Sequence, residues 1–249
     1  LANRTPLEAA KTPNLDFLAK KGISGLVLPY TLSQGLPTSE DTHLSLFGFD
    51  PKIYNPGRGV LEALGIGIKV LPGDVCLRGN FATLDNRTLK IIDRRAGRIE
   101  KTEKLIEAIG GIEINGVKFL IGKAVSHRMG IVMRNKNLSA KISNGDPKMT
   151  GVKPWPILAL DRGKEAQFTA RVLNQFLGKA NLILKEHPLN KKRELPANYI
   201  LVRGAGKIKK IKSFKKKYNL KAAFVAGGTL YKGIGKFLGL KEIEVKGAT

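Results

Sequence analysis

A layered α/β fold is predicted for this chain from three observations. Short apolar strands and amphipathic helices are intermixed along its whole length. The 249 residues, 42% hydrophobic and 26% charged, hold enough apolar material for a sizeable core in one large or two modest domains. No repeat of solenoid period and no low-complexity linker interrupts them.

The elements follow in order. Thr5-Pro6-Leu7-Glu8 sets an N-cap threonine before a proline at the first helical position. A second helix starts at Thr12-Pro13-Asn14-Leu15-Asp16 and closes at Lys20-Lys21-Gly22. Residues 23–29 read as a short apolar strand. Residues 101–109 and 165–177 carry the i, i+3, i+4 apolar spacing of amphipathic helices. Strands are predicted at 117–125, 130–134, 198–203 and 222–226, with the turn Lys153-Pro154-Trp155-Pro156 breaking the middle. The last residues, 244–249, read as a strand and a turn, and both ends look like cuts through a longer protein.

Composition narrows the function classes. No apolar run approaches the roughly 18 residues of a membrane span, and the first residues form no leader, so an unexported cytoplasmic protein is expected. The single Cys76 excludes an intramolecular disulfide and a cysteine-built zinc site, and its apolar neighbours Val75 and Leu77 suit a buried side chain. With 44 Lys and Arg against 20 Asp and Glu the formal charge is +24. That charge suits nucleic acid, an anionic membrane, a small anionic substrate or simply a solvated lysine-rich surface. The runs Lys207-Ile208-Lys209-Lys210-Ile211-Lys212 and Lys215-Lys216-Lys217 carry no nucleic-acid-binding signature.

Three groups of residues carry chemistry. In Gln34-Gly35-Leu36-Pro37-Thr38-Ser39-Glu40-Asp41-Thr42-His43, Ser39 on a turn before a helix suits a nucleophile, since a helix N-terminus favours negative charge. From the pattern alone, Ser39 as an N-cap is the favoured reading. Asp93-Arg94-Arg95-Ala96-Gly97-Arg98-Ile99 presents three guanidinium forks suited to phosphate or carboxylate, or else a basic turn paired with Asp93. His127-Arg128, Asp146-Pro147 and Arg203-Gly204-Ala205-Gly206 lie at predicted strand ends or turns, where α/β sites gather. Gly57-Arg58-Gly59, Gly65-Ile66-Gly67 and Gly204-Ala205-Gly206 match no nucleotide-binding fingerprint.

As a series these segments resemble the archaeal-type 2,3-bisphosphoglycerate-independent phosphoglycerate mutases of the alkaline phosphatase superfamily. The resemblance runs from residues 5–16 through Ser39–His43 and Leu44-Ser45-Leu46-Phe47-Gly48-Phe49-Asp50-Pro51. It continues in Gly57-Arg58-Gly59, Arg78-Gly79-Asn80-Phe81-Ala82-Thr83, the arginine turn, Ala197-Asn198 and Lys232-Gly233-Ile234-Gly235. It implies an alkaline-phosphatase-like catalytic domain, incomplete here, in residues 1–69 and 208–249, with a smaller α/β substrate-binding domain inserted at 70–207. It implies interconversion of 3-phosphoglycerate and 2-phosphoglycerate through a phosphoserine on Ser39. Two divalent ions are implied, manganese first and otherwise magnesium, cobalt or zinc, with Ser39 as a ligand. Asn80, Asp93, Arg94, Arg95, Arg98, His127, Arg128, Asp146, Arg203 and Lys232 are the implied substrate-binding residues. The family's Asp-Gly-x-Gly-Asp strand and its C-terminal Asp/His clusters are absent, and its Ser-Asp-Thr-Ala-His reads Ser39-Glu40-Asp41-Thr42-His43. The chain alone is therefore expected to be inactive. The alternatives are a phosphatase or other phosphomutase of that superfamily, or a non-catalytic basic remnant binding anions or nucleic acid.

Overall fold

The computed structural model describes residues 3–26 and 38–245. Helix α1 (Pro6–Ala9) opens on a capping box, with Glu8 N–H donating to Thr5 Oγ1 and Thr5 N–H donating to Glu8 Oε2 at 2.6 Å. Helix α2 (Pro13–Lys21) follows and ends at Gly22, and neither helix buries a residue. Residues 23–26 of the predicted strand are exposed and without regular structure, because no strand among the described residues offers them a ladder. Residues 27–29 lie outside the described residues, as do 34–37 of the serine turn and 246–249.

The chain continues through α3 (Ser39–Leu46), α4 (Pro51–Tyr54) and α5 (Arg58–Gly65) to β1 (Val75–Leu84) and β2 (Ile91–Asp93). Then come α6 (Glu103–Ile109), β3 (Glu113–Ile114), β4 (Val117–Lys123), β5 (Arg128–Arg134), α7 (Lys164–Glu186), α8 (Pro188–Lys191) and β6 (Tyr199–Gly206). The last elements are α9 (Phe214–Tyr218), β7 (Ala223–Phe224), α10 (Thr229–Phe237) and β8 (Lys241–Glu242). Helix α7 runs past the predicted 177 because its apolar stripe continues through Ala180 and Leu184. The predicted strand 222–226 shrinks to two residues paired in parallel with β8, and residues 244–245 form no strand.

The large sheet is antiparallel and mixed with helices on both faces. Strand β1 lies between β5 and β6, β4 and β3 continue beyond β5, and β2 pairs with the end of β1 at Thr83 and Leu84. All ten residues of β1 are buried, so its period-2 alternation separates two interiors rather than core from solvent. Val75, Leu77 and Phe81 join Met129, Ile131, Met133, Ile200 and Val202 against Leu105, Ile109, Leu173 and Phe176 of α6 and α7. Phe119 stacks on Phe176 with ring centroids 4.1 Å apart. Each such fully buried side chain contributes about 1.5–3 kcal/mol, which pins the register.

The opposite face of β1 carries Cys76, Arg78 and Asn80. Cys76 packs with Val60 and Ala63 of α5, and burial pushes its thiol up to about 12, so it stays protonated and inert. Helix α5 comes this close because Gly59 sits on the β1 backbone. On its far side α5 meets α10, where Leu44, Phe49, Leu61, Leu230, Ile234 and Phe237 make a second core. Among the described residues no helix is long and apolar enough to cross a membrane.

Candidate functional site

The antiparallel register gathers cations that are far apart in sequence. Arg78 lies opposite Arg203 of β6, and Asn80 lies opposite Arg128 of β5. Directly paired residues share a face, so Arg78, Asn80, Arg128 and Arg203 all sit on the α5 side. Like charges placed across strands repel, and an arrangement of this kind costs stability unless anions answer it.

The turn after β2 adds two more. Asp93 Oδ1 accepts from Arg95 N–H at 2.5 Å and shapes the turn, while Ala96, Gly97 and Arg98 all take positive φ. Ala96 and Arg98 are strained there, and Arg193 Nη2 holds Ala96 O at 2.9 Å. Arg94 donates from Nε and Nη2 to the two Asp146 oxygens at 3.1 and 2.7 Å. Asp146 is 2% exposed: burial pushes its carboxyl up, but the Arg94 fork and the Lys148 N–H outweigh that and leave it lowered.

A cavity of about 330 Å³ results, lined by Arg78, Asn80, Arg94, Arg95, His127, Arg128, Lys148 and Arg203. Burial, and then the Arg128, Arg95 and Arg78 guanidiniums, hold the His127 imidazole down to about 4, so it is neutral at pH 7. Its folded-state value lies below the ordinary 6.5, so His127 removes up to about 3 kcal/mol of stability as pH falls from 6.5 to 4. An anion in the cavity offsets the guanidiniums. An NMR titration is therefore expected to find the His127 pKa raised by at least about one unit when 3-phosphoglycerate is added. An unchanged value would place the ligand elsewhere.

Ser39 lines a second, adjoining cavity of about 260 Å³ with Arg58, Glu62, Val125, Arg128 and residues 227–231. Arg128 lines both cavities and so connects them. The N-cap of α3 is Thr38, whose Oγ1 accepts from Asp41 N–H and donates to Asp41 Oδ2 at 2.6 Å. The capping reading of Ser39 is thereby corrected: Ser39 is the first helical residue, with its hydroxyl not engaged in a cap. At that position the helix's free N–H groups favour an anion.

The sequence-predicted residues thus divide. Asn80, Arg94, Arg95, His127, Arg128 and Arg203 come together in one cavity, and Ser39 adjoins it. Asp93 and Asp146 shape the turn and hold Arg94 rather than lining the space. Arg98 lines a different cavity, with Leu189, Lys192 and Arg193. Lys232 pairs with Glu242 at 3.2 Å, while its neighbours Thr229, Leu230 and Tyr231 line the Ser39 cavity. Sequence reasoning missed Arg58, Glu62, Arg78 and Lys148 as site residues. The signal for Arg78 was a charged residue inside the apolar run Val75-Cys76-Leu77-Arg78.

The residues near Ser39 do not fit a two-metal centre. Glu40 Oε2 is taken by Arg58 at 2.9 Å, and Asp41 by Thr38 and by Asn55 Nδ2 at 2.7 Å. The His43 Nδ1 is 2.7 Å from Ser39 O. Among the described residues no three His, Cys, Asp or Glu converge as metal ligands.

A family model described as 2,3-bisphosphoglycerate-independent phosphoglycerate mutase matches residues 19–190. A protein of that name from Methanocorpusculum labreanum is 46% identical over 98% of this chain. The chain spans only 62% of that relative's length. A solved cofactor-independent phosphoglycerate mutase from Thermoplasma acidophilum superposes with TM-score 0.68 at 41% identity, covering 99% of this chain and 65% of that one. The PH0037 protein of Pyrococcus horikoshii superposes with TM-score 0.75 at 30% identity, over 98% of this chain and 57% of its own.

Proposed function

The chain belongs to the 2,3-bisphosphoglycerate-independent phosphoglycerate mutase family, and on that premise we propose that the protein carrying it interconverts 3- and 2-phosphoglycerate. The observation that supports this best is Arg128, which borders both the nucleophile's cavity and the cationic one. A phosphatase needs only to release its alcohol. A mutase must keep glycerate after the phosphoryl group has left it, and a cradle of guanidiniums beside the serine suits that task.

In this reading Ser39 Oγ attacks phosphorus in line, and the glycerate 3-oxygen departs with a proton. The phosphoserine lies at the α3 N-terminus with Arg58 and Arg128 beside it, where helix N–H groups and guanidiniums stabilise its oxygens. Arg78, Arg94, Arg95 and Arg203 retain the glycerate carboxylate while neutral His127 and Asn80 address its hydroxyls. Glycerate turns, its 2-oxygen attacks phosphorus as the Ser39 Oγ–P bond breaks, and the proton of the 2-hydroxyl returns to Ser39 Oγ. The described residues do not by themselves assemble a metal centre, and Ser39 would be this chain's ligand to the implied divalent ions.

Residues 70–207 as a substrate-binding insert are supported by the core of residues 75–202, which is separate from the α3–α5–α10 core. The alkaline-phosphatase-like domain and the manganese ions rest on the family resemblance. The lysine runs favour a surface role over nucleic acid: Lys207, Lys209 and Lys217 bond to carbonyls of Leu138, Ile53 and Gly48.

Calorimetric titration of the chain with 3-phosphoglycerate, inorganic phosphate and a DNA oligonucleotide tests the proposal. The phosphorylated acid is expected to bind tightest, and Arg128→Ala to weaken it about 100-fold, as for loss of a charge-assisted contact. Equal binding by the Arg128→Ala variant, or a preference for DNA, overturns the reading.

A further inference from the structure

Arg78 is the most buried cation of the cationic cavity, at 5% exposure. Its Nε has no hydrogen-bond partner among the described residues, and neither has Oδ1 of Asn80 on the same face of β1. Both residues line the cavity, so two buried polar groups without partners lie in its wall. What holds the Arg78 fork in place is Glu62 of α5, itself 2% exposed. Glu62 Oε1 accepts from Arg58 Nε at 3.0 Å and lies 3.5 Å from Arg78 Nη1. Arg58 Nη1 in turn reaches Glu40 Oε2 at 2.9 Å, on the residue that follows Ser39. The line Glu40–Arg58–Glu62–Arg78 thus joins the nucleophile's helix to the floor of the cationic cavity.

We propose that Glu62 is a positioning residue for the phosphoglycerate site: one carboxylate oxygen fixes the Arg58 fork beside Ser39 and the Arg78 fork beneath the cradle in a common register. The inference rests on the proposed function and goes beyond it by naming a residue that acts through two others. A phosphorylated hydroxy acid spans the two cavities only if its two anionic ends meet guanidiniums at a set separation. Arg78 is faced by Glu62 and Arg58 from α5, Arg128 from β5, Arg203 from β6, and His127 beside β5. Burial and the three other arginines work against its charge, and Glu62 is the group that opposes them, leaving it lowered to about 10.

Charge counting and positioning predict opposite signs for one experiment. Removing a negative charge beside an anion site, as in Glu62→Gln, should tighten anion binding if Glu62 acts only through its field. If Glu62 positions the two forks, Glu62→Gln weakens 3-phosphoglycerate binding about tenfold at pH 7. Glu62→Asp, which keeps the carboxylate, is expected to recover part of the affinity that Glu62→Gln loses. Both are read by calorimetry at pH 7, with circular dichroism to establish folding. Equal or tighter binding by a folded Glu62→Gln chain overturns the inference. Should that variant not fold, Arg78→Lys keeps the charge and removes the fork, and unchanged affinity there overturns it equally. Inorganic phosphate titrated in parallel separates the two levels. Glu62-dependent phosphate binding with no preference for 3-phosphoglycerate removes the mutase reading and leaves Glu62 in its positioning role.

Discussion

Alanine at position 39 is expected to abolish mutase turnover in the protein that carries this chain, to below about one thousandth of the parent rate, as for loss of a covalent nucleophile. The same substitution is expected to leave 3-phosphoglycerate binding within about twofold, since the contacts that hold the acid are guanidinium forks. Stability should also be nearly unchanged, because the cap of α3 is the Thr38 hydroxyl bonded to Asp41 N–H. By contrast, Thr38→Ala removes that cap and should cost about 1 kcal/mol with no direct effect on chemistry. A coupled assay for 2-phosphoglycerate, run beside calorimetric binding and thermal melts, distinguishes the two variants. Turnover by Ser39→Ala within tenfold of the parent would remove Ser39 from its assigned role.

Gly59→Ala is expected to have the largest effect on folding. A Cβ built there falls 2.2 Å from Cys76 O, 2.4 Å from Cys76 C and 2.5 Å from the Leu77 Cα. All three are backbone atoms of the central strand, so no side-chain rotation relieves the overlap and α5 must lift off β1. That movement would separate Val60 and Ala63 from Cys76 and Val132, and carry Arg58 and Glu62 away from Arg78. A loss of more than about 3 kcal/mol is expected, with loss of 3-phosphoglycerate binding in whatever remains folded. Gly178→Ala on α7 is the control: its Cβ meets nothing within 4 Å, so a helix-propensity gain of up to about 1 kcal/mol is expected. Chemical denaturation of both variants measures the difference, and a neutral Gly59→Ala would contradict the packing described here.

Much of this protein was legible from residues close together in sequence. The capped start at Thr5-Pro6, the helix from Lys164 and the apolar strands near 117–134 follow from local propensity and periodicity, and each formed. The serine turn and the arginine turn were visible as clusters, although spacing alone favoured cap over nucleophile for Ser39. Net charge was the least informative feature. A total of +24 does not distinguish Lys217, bonded to a carbonyl of Gly48, from Arg203, lining a cavity.

The sequence by itself determined the α/β class, the helices opening at Thr5 and Thr12 and those at 101–109 and 165–177, and the local chemistry of the Ser39 and Asp93–Ile99 segments, because helix caps, periodicity and turn composition act over a few residues. Only the tertiary structure decided which cations act together. Arg78, Arg128 and Arg203 meet because β1 pairs antiparallel with β5 and β6, and Glu62 meets Arg78 because Gly59 lets α5 rest on β1. The positive-φ turn at Ala96–Arg98 put Arg98 in a separate cavity from Arg94 and Arg95, and the packing of α10 beside β8 set Lys232 against Glu242. Strand register and helix docking are fixed by burial of distant apolar faces against one another, a cooperative property that no local window of residues contains.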